Sequence, residues 1–217
     1  MPEGPPPYHR DITRNMVIPI FAAYQYAVLN HKKKGIDWTI IEKPAIPEVP
    51  GGLPGDWPKI TSTYAKLFDV FKKIRGEVVS GDTGVSTLFA LPPYHCVDIT
   101  TYMGGSIPLA AGACLAGYKN VWALSGDFSF IAAGYLGLTD VLLRNIPLKI
   151  IIFYNARAAT TGGQPFPEGI LERILKSYRE HLMYIENPDD QNEIEAVLTE
   201  ASVTDDLRIV VADYRKT

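Results

Sequence analysis

The stretch that decides the fold runs from Val121 to Asn155 and reads VWALSGDFSFIAAGYLGLTDVLLRNIPLKIIIFYN. It opens with a short apolar run closed by Gly126-Asp127, and it ends with Leu148 to Tyr154, which is apolar almost throughout. Runs of this length bounded by turn residues read as buried strands, and the segment from about Phe130 to Arg144 is long enough for one helix between them. A strand, a crossover helix and a second strand that is apolar on both faces predict a parallel sheet covered by helices on both sides.

Working outward, the same alternation continues in both directions. Before the stretch, the pattern predicts a helix at 61–75, a strand at 77–80, a short strand near 97–99 and a helix at 105–116. After it come a helix at 168–180, a strand at 183–186, a helix at 189–201 and a strand at 208–212. The fold class is therefore α/β, a doubly wound and mostly parallel sheet over residues 59–217. Residues 1–58 differ: they hold ten of the 17 prolines, together with Gly51, Gly52 and Gly55. That shift marks an N-terminal arm, with one helix over 11–30 and extended chain over 44–58. Phe21, Tyr24, Tyr26, Trp38 and Trp57 make it a candidate subunit-contact segment.

Composition narrows the function classes. The 217 residues are 47% hydrophobic and 21% charged, outside the low-hydrophobicity regime of disordered chains. With 21 basic against 24 acidic residues the net charge is -3, and no long like-charge run appears outside Lys32 to Lys34, so a nucleic-acid partner is not expected. Two cysteines, Cys96 and Cys114, cannot build a disulfide framework or by themselves close a zinc or iron-sulfur site. No apolar run approaches membrane-spanning length, and the N-terminus does not read as a signal peptide. A soluble, cytoplasmic protein with no membrane insertion is expected.

In open parallel sheets ligands bind beyond the carboxyl ends of the strands. Four clusters follow strands there: Gly81-Asp82-Thr83-Gly84, Tyr102-Met103-Gly104-Gly105-Ser106, Gly126-Asp127-Phe128-Ser129, and the loop from Asn155 to Gln164. One helix and one strand fill the 26 residues from Ser129 to Tyr154, which brings Asp127 and Asn155 to neighbouring strand ends. Two oxygen donors without a thiolate suit magnesium better than zinc. The same two residues also read as a helix cap and a turn residue. His95, after Pro92-Pro93-Tyr94, leads toward this edge and is a candidate for substrate contact.

The spacing from Gly126-Asp127 to Asn155 resembles the thiamine-diphosphate and magnesium fingerprint, with Phe128 where a third glycine is usual. Together with Gly81-Asp82-Thr83-Gly84, Leu91-Pro92-Pro93, Val97 to Ile107 and Thr161-Gly162-Gly163-Gln164-Pro165, the chain resembles the cofactor-binding domain of 2-oxoacid:ferredoxin oxidoreductases, in particular the indolepyruvate type. The resemblance implies Asp127, Asn155 and the Arg157 carbonyl as magnesium ligands. It places Thr83, Gly84, Met103, Gly104, Gly105, Ser106, Gly126, Phe128 and Ser129 around thiamine diphosphate. Thr160, Thr161, Gly162 and Gln164 match a segment closing over the cofactor, with Thr160 and Gln164 facing the substrate.

The resemblance also implies partners. A glutamate that activates the cofactor comes from a pyrimidine-binding domain, expected on a separate subunit. Related chains carry Cys-Pro-Gly-Cys before the first core helix, where this one has Gly55-Asp56-Trp57-Pro58, and a cysteine where it has Val85. Iron-sulfur clusters or flavin are therefore expected only in partner subunits. The implied activity is oxidative decarboxylation of an arylpyruvate-like or other 2-oxoacid to an acyl-CoA. Without cluster cysteines, a non-oxidative decarboxylase subunit of the sulfopyruvate or phosphonopyruvate type, or a non-catalytic scaffold, stands as the alternative.

Overall fold

The computed structural model describes residues 57–159 and 162–216. The expected arm, apart from its last two residues, lies outside the described residues. Those two open the first helix, α1 (Trp57–Ile74), which starts four residues before the predicted 61. Tyr64, Leu67, Phe68 and Phe71 recur at helical spacing and are all buried, so one face of α1 is core. Lys72 and Lys73 occupy its last turn, where cations meet the negative end of the helix dipole.

The main sheet comprises β1 (Val79–Asp82), β2 (Ile99–Thr101), β3 (Trp122–Gly126), β4 (Lys149–Tyr154), β7 (Leu182–Ile185) and β8 (Arg208–Asp213). Its spatial order is β2-β1-β3-β4-β8-β7 with every pairing parallel. Successive side chains of a strand point to opposite faces, and the two core layers follow that alternation. Trp122, Leu124, Ile151, Phe153 and Val210 pack in one cluster with α1 and α7 (Gln191–Val203). Ala123, Ile150, Ile152, Ile209 and Val211 pack in the other, with α3 (Ser106–Leu115) and α5 (Tyr135–Leu143). The α/β doubly wound expectation is borne out.

Several elements differ from the sequence reading. β1 lies two residues later than predicted, so Gly81 and Asp82 belong to the strand and not to the loop after it. The helix expected from Phe130 starts instead at Asp127, as α4 (Asp127–Ser129), and passes through a π-helical turn (Phe130–Gly134) into α5. Over 168–180, Gly169 takes a left-handed φ of 75° and only α6 (Ile170–Leu175) is α-helical, followed by a 3-10 segment, Lys176–His181. Two short elements went unpredicted: α2 (Val85–Leu88) and the antiparallel pair β5 (Arg157–Ala158) and β6 (Gln164–Pro165).

The topology selects one crevice. From β1 the chain moves outward to β2, then crosses back to form β3 on the other side of β1. The direction of winding reverses between β1 and β3, and ligands of doubly wound sheets bind at the carboxyl ends flanking such a reversal. Among the described residues no helix is long and apolar enough to cross a membrane.

Candidate cofactor and metal site

Asp127 sits at the end of β3, at the reversal, and is only 1% exposed. Its carboxylate accepts three backbone N–H groups: Phe128 at 2.6 Å, Asn155 at 2.8 Å and Ala156 at 2.6 Å. The last two come from the turn after β4, so one carboxylate ties two neighbouring strand ends together. Ala156 has a φ of 56°, a left-handed conformation that costs a residue with a Cβ about 1 kcal/mol or more. Burial pushes the Asp127 carboxyl up to about 6, even though the amide groups of Ala156, Phe128 and Asn155 pull the other way. Among the described residues no ion pair compensates it.

Asn155 presents both ends of its amide to the protein. Its Oδ1 accepts the Arg157 N–H at 3.0 Å, and its Nδ2 donates to the Tyr64 hydroxyl at 3.3 Å. Opposite Arg157 in the β5–β6 pair stands Pro165, which has no N–H to offer the Arg157 carbonyl.

A second buried carboxylate, Asp82, carries no role in the sequence pattern. It is 1% exposed at the end of β1. Its Oδ1 accepts the Ser106 N–H at 2.8 Å and its Oδ2 accepts the Ser125 hydroxyl at 2.5 Å. Asp82 thus caps α3, whose own N-cap, Gly105, supplies no side-chain bond. Burial raises its pKa against the hydrogen bonds from Ser125, Ser106 and Gly104.

These groups surround a cavity of about 40 Å³ lined by Asp82, Thr83, Gly84, Met103, Gly126, Asp127, Phe128, Ser129, Asn155 and Arg157 among others. That volume holds an ion or a water molecule. It adjoins a groove of about 860 Å³ that shares Thr83, Gly84, Asn155 and Arg157 and is bounded by Lys59, Thr63 and Tyr64 of α1 and by Tyr214 and Arg215 after β8. Arg215 is held by Asp213 and Glu172 and lies 4.3 Å from the centroid of the Tyr154 ring.

Nine of the sequence-predicted residues therefore meet at one cavity. Gly104, Gly105 and Ser106 stand behind it, tied through Asp82, and the requirement for glycine there is one of packing. A Cβ on Gly104, which has a φ of 82°, would lie 2.6 Å from the Ala133 Cβ and 2.7 Å from the Gly134 nitrogen. Gly162 and Gln164 are exposed on the β5–β6 side and line neither space. Thr160 and Thr161 lie outside the described residues.

His95 is a correction. The chain from Phe89 returns to the amino edge of the sheet before β2 begins, and His95 is exposed there. Its carbonyl accepts from Arg75 Nη1 at 2.9 Å, at the far end of α1 from Tyr64. Missed residues were Asp82, Tyr64, Tyr214 and Arg215. A signal existed for Tyr64: a helix entering β1 at its amino end must begin near the carboxyl edge.

The donor set suits magnesium. Asp127, the Asn155 amide and the Arg157 carbonyl offer hard oxygens, and among the described residues no group of three or more His, Cys, Asp or Glu side chains gathers, here or elsewhere. An ion held by so few protein ligands completes its octahedron with water and ligand phosphate, as magnesium does. Neither cysteine competes: Cys96 is buried, with its thiol pushed up to about 11 by burial, and burial also raises Cys114.

Comparison with known proteins defines the class first. The family described as thiamine pyrophosphate enzyme, C-terminal TPP binding domain, matches residues 82–210, more than half of the chain, and the chain belongs to it. Among curated relatives, indolepyruvate oxidoreductase subunit IorA of Methanothermobacter marburgensis is 32% identical over 130 residues, covering 58% of this chain and 21% of the relative. The subunit of the same name from Archaeoglobus fulgidus is 27% identical over 180 residues, covering 77% of this chain and 29% of the relative. The chain thus spans less than a third of the length of these relatives. The fold matches 2-oxoglutarate:ferredoxin oxidoreductase from Magnetococcus marinus with a TM-score of 0.56 at 14% identity, over 76% of this chain and 64% of that one. It also matches benzoylformate decarboxylase from Polynucleobacter necessarius with a TM-score of 0.53 at 17% identity, over 69% of this chain and 33% of that one.

Proposed function

We propose that the chain is the thiamine-diphosphate-binding part of a heteromeric 2-oxoacid oxidoreductase of the indolepyruvate type, acting on an arylpyruvate-like or other 2-oxoacid. The observation that carries this reading is Asp127: a buried carboxylate with no cationic side chain paired to it among the described residues, at the winding reversal, bonded to the Asn155 turn. In this reading Asp127, Asn155 and the Arg157 carbonyl hold magnesium, which neutralises the diphosphate. Thr83, Gly84, Met103, Gly126, Phe128 and Ser129 bound the cofactor, and Asp82 holds the Gly104-Gly105-Ser106 loop behind it. Thr160, Thr161, Gly162 and Gln164 would form the flap over the substrate. Bound thiamine diphosphate supplies the ylid and the electron sink for decarboxylation.

The activating glutamate is assigned to a partner's pyrimidine-binding domain: in this reading Asp127 is committed to magnesium and Asp82 to the Gly104-Gly105-Ser106 loop. The balanced reaction converts a 2-oxoacid and coenzyme A into acyl-CoA, CO2, one proton and two electrons. With only Cys96 and Cys114 available, the electrons are assigned to iron-sulfur or flavin centres of a partner, in a cytoplasmic complex. Arm 1–58 is assigned to subunit contact. The Magnetococcus marinus structure is described with 2-oxoglutarate, coenzyme A and succinyl-CoA bound, which supports this reaction class.

The test is to isolate the chain with its natural partners, assay thiamine diphosphate, magnesium, iron and flavin, and supply 2-oxoacids with coenzyme A. Acyl-CoA with a reduced acceptor is expected. Aldehyde and CO2 without reduction would replace this reading with the decarboxylase, which the absent thiols at 55–58 and 85 favour. A complex devoid of cofactor that takes none up would leave a scaffold.

A further inference from the structure

We infer that Tyr64 is a positioning residue for the Asn155 amide: its phenol oxygen holds the amide nitrogen, so that the amide oxygen faces the Asp127 and Arg157 turn where magnesium would bind. This rests on the magnesium reading above. It concerns a residue outside the segment that the family covers, which begins at residue 82.

An asparagine is a metal ligand only through its oxygen, since a hard cation does not take the amide nitrogen. The two ends of the group are nearly isosteric, so something must decide which one faces the ion. Here the two ends are assigned by different partners. The Arg157 N–H can only donate, and it lies 3.0 Å from Oδ1; the amide nitrogen then falls 3.3 Å from the Tyr64 hydroxyl. Oδ1 has a second lone pair available for a cation. Turning the amide over would set its NH2 group against the Arg157 N–H, donor against donor.

The Tyr64 ring is in turn held by two others. It is 6% exposed and stands edge-on to Phe153, with centroids 5.6 Å apart at 83°. Tyr214 packs against it at 4.2 Å and lies 6.4 Å from Phe153, so the three rings form one cluster. Phe153 belongs to β4, two residues before Asn155, and Tyr214 follows β8, so the phenol is fixed relative to the strand that carries the ligand. Phenylalanine would fill the same packing space. What tyrosine adds is an oxygen, and buried tyrosine hydroxyls find hydrogen-bond partners. This hydroxyl accepts from the Asn155 amide nitrogen.

The experiment uses the full chain in its native complex and measures thiamine diphosphate binding by calorimetry across a magnesium series. Wild type is compared with Tyr64→Phe, Asn155→Ala and the double variant. Loss of a group that orients a metal ligand typically weakens metal affinity by 10–100-fold, so Tyr64→Phe should raise the half-saturating magnesium concentration by about 10-fold. Its melting temperature should stay close to wild type, because the ring packing is kept. Asn155→Ala should have a larger effect, and Tyr64→Phe should add little on top of it, since the two act as one unit. Unchanged magnesium dependence in Tyr64→Phe, with Asn155→Ala impaired, would overturn the role of Tyr64 and leave the metal site standing. Independent, additive effects would likewise overturn it. Unchanged magnesium dependence in Asn155→Ala would overturn the metal site itself, and the inference with it.

Discussion

The two edges of the sheet handle acidic side chains in opposite ways. At the amino edge, Asp98 is paired with Arg75 and also accepts the Val79 N–H at 2.8 Å, with 39% of its side chain exposed. At the carboxyl edge, Asp82 and Asp127 are almost fully buried and are met by amides and hydroxyls, with no ion pair among the described residues. A partly exposed, paired carboxylate needs nothing more and is worth little to stability. Burying an unpaired one is costly, and its pKa rises to relieve the cost. The difference teaches which edge is built to be completed by something from outside: a cation bound near Asp127 would offset the charge that the described residues leave uncompensated.

The sharpest way to break this contrast is Asp127→Ala. Magnesium-dependent thiamine diphosphate binding should fall by roughly 100-fold or more, a ligand mattering at least as much as the groups that orient it. Far-UV circular dichroism should stay native, and chemical denaturation should show a loss of about 1–3 kcal/mol from the stranded amide groups. Asp82→Ala should cost stability by a similar amount, because it strands the Ser106 N–H and the Ser125 hydroxyl. The Asp82 variant keeps Asp127, so it should still gain stability from magnesium with cofactor as wild type does, whereas Asp127→Ala should gain none.

A pH titration of the cofactor-free protein sharpens the comparison further. Folded Asp127 keeps its proton up to about 6, against an ordinary 3.8. Between those values the folded state binds more protons than the unfolded one, so stability should decline as pH rises through that window and level off above it. Asp127→Asn should remove that part of the slope in denaturation curves taken from pH 4 to 7. The smallest effect belongs to the amino edge. His95→Ala should change cofactor affinity and turnover by less than about 2-fold, consistent with the near-neutrality of exposed positions away from a site.

Much of the architecture was legible because hydrophobic runs report burial directly. The fully buried β4 announced itself in Lys149 to Tyr154, and the distance from Asp127 to Asn155 placed two neighbouring strand ends side by side. What escaped was information that depends on path or on partners. α2 has only four residues, too few for periodicity, so the return of the chain to the amino edge, and with it the location of His95, left no trace in the pattern. The β5–β6 pair is two residues long and equally silent. Tyr64 reads as one more apolar position on a core helix, and only its neighbours reveal where its hydroxyl ends. Asp82 looked like a loop residue because β1 continues through Gly81, a residue that ordinarily argues for a turn.

The most direct measurement replaces magnesium with Mn2+ in the native complex and records the pulsed electron spin resonance spectrum with thiamine diphosphate present. Bound Mn2+ should show coupling to the cofactor's phosphorus nuclei in wild type and lose its bound signal in Asp127→Ala. A phosphorus-coupled Mn2+ signal that survives unchanged in Asp127→Ala would contradict the assignment of this carboxylate as the group that holds the metal.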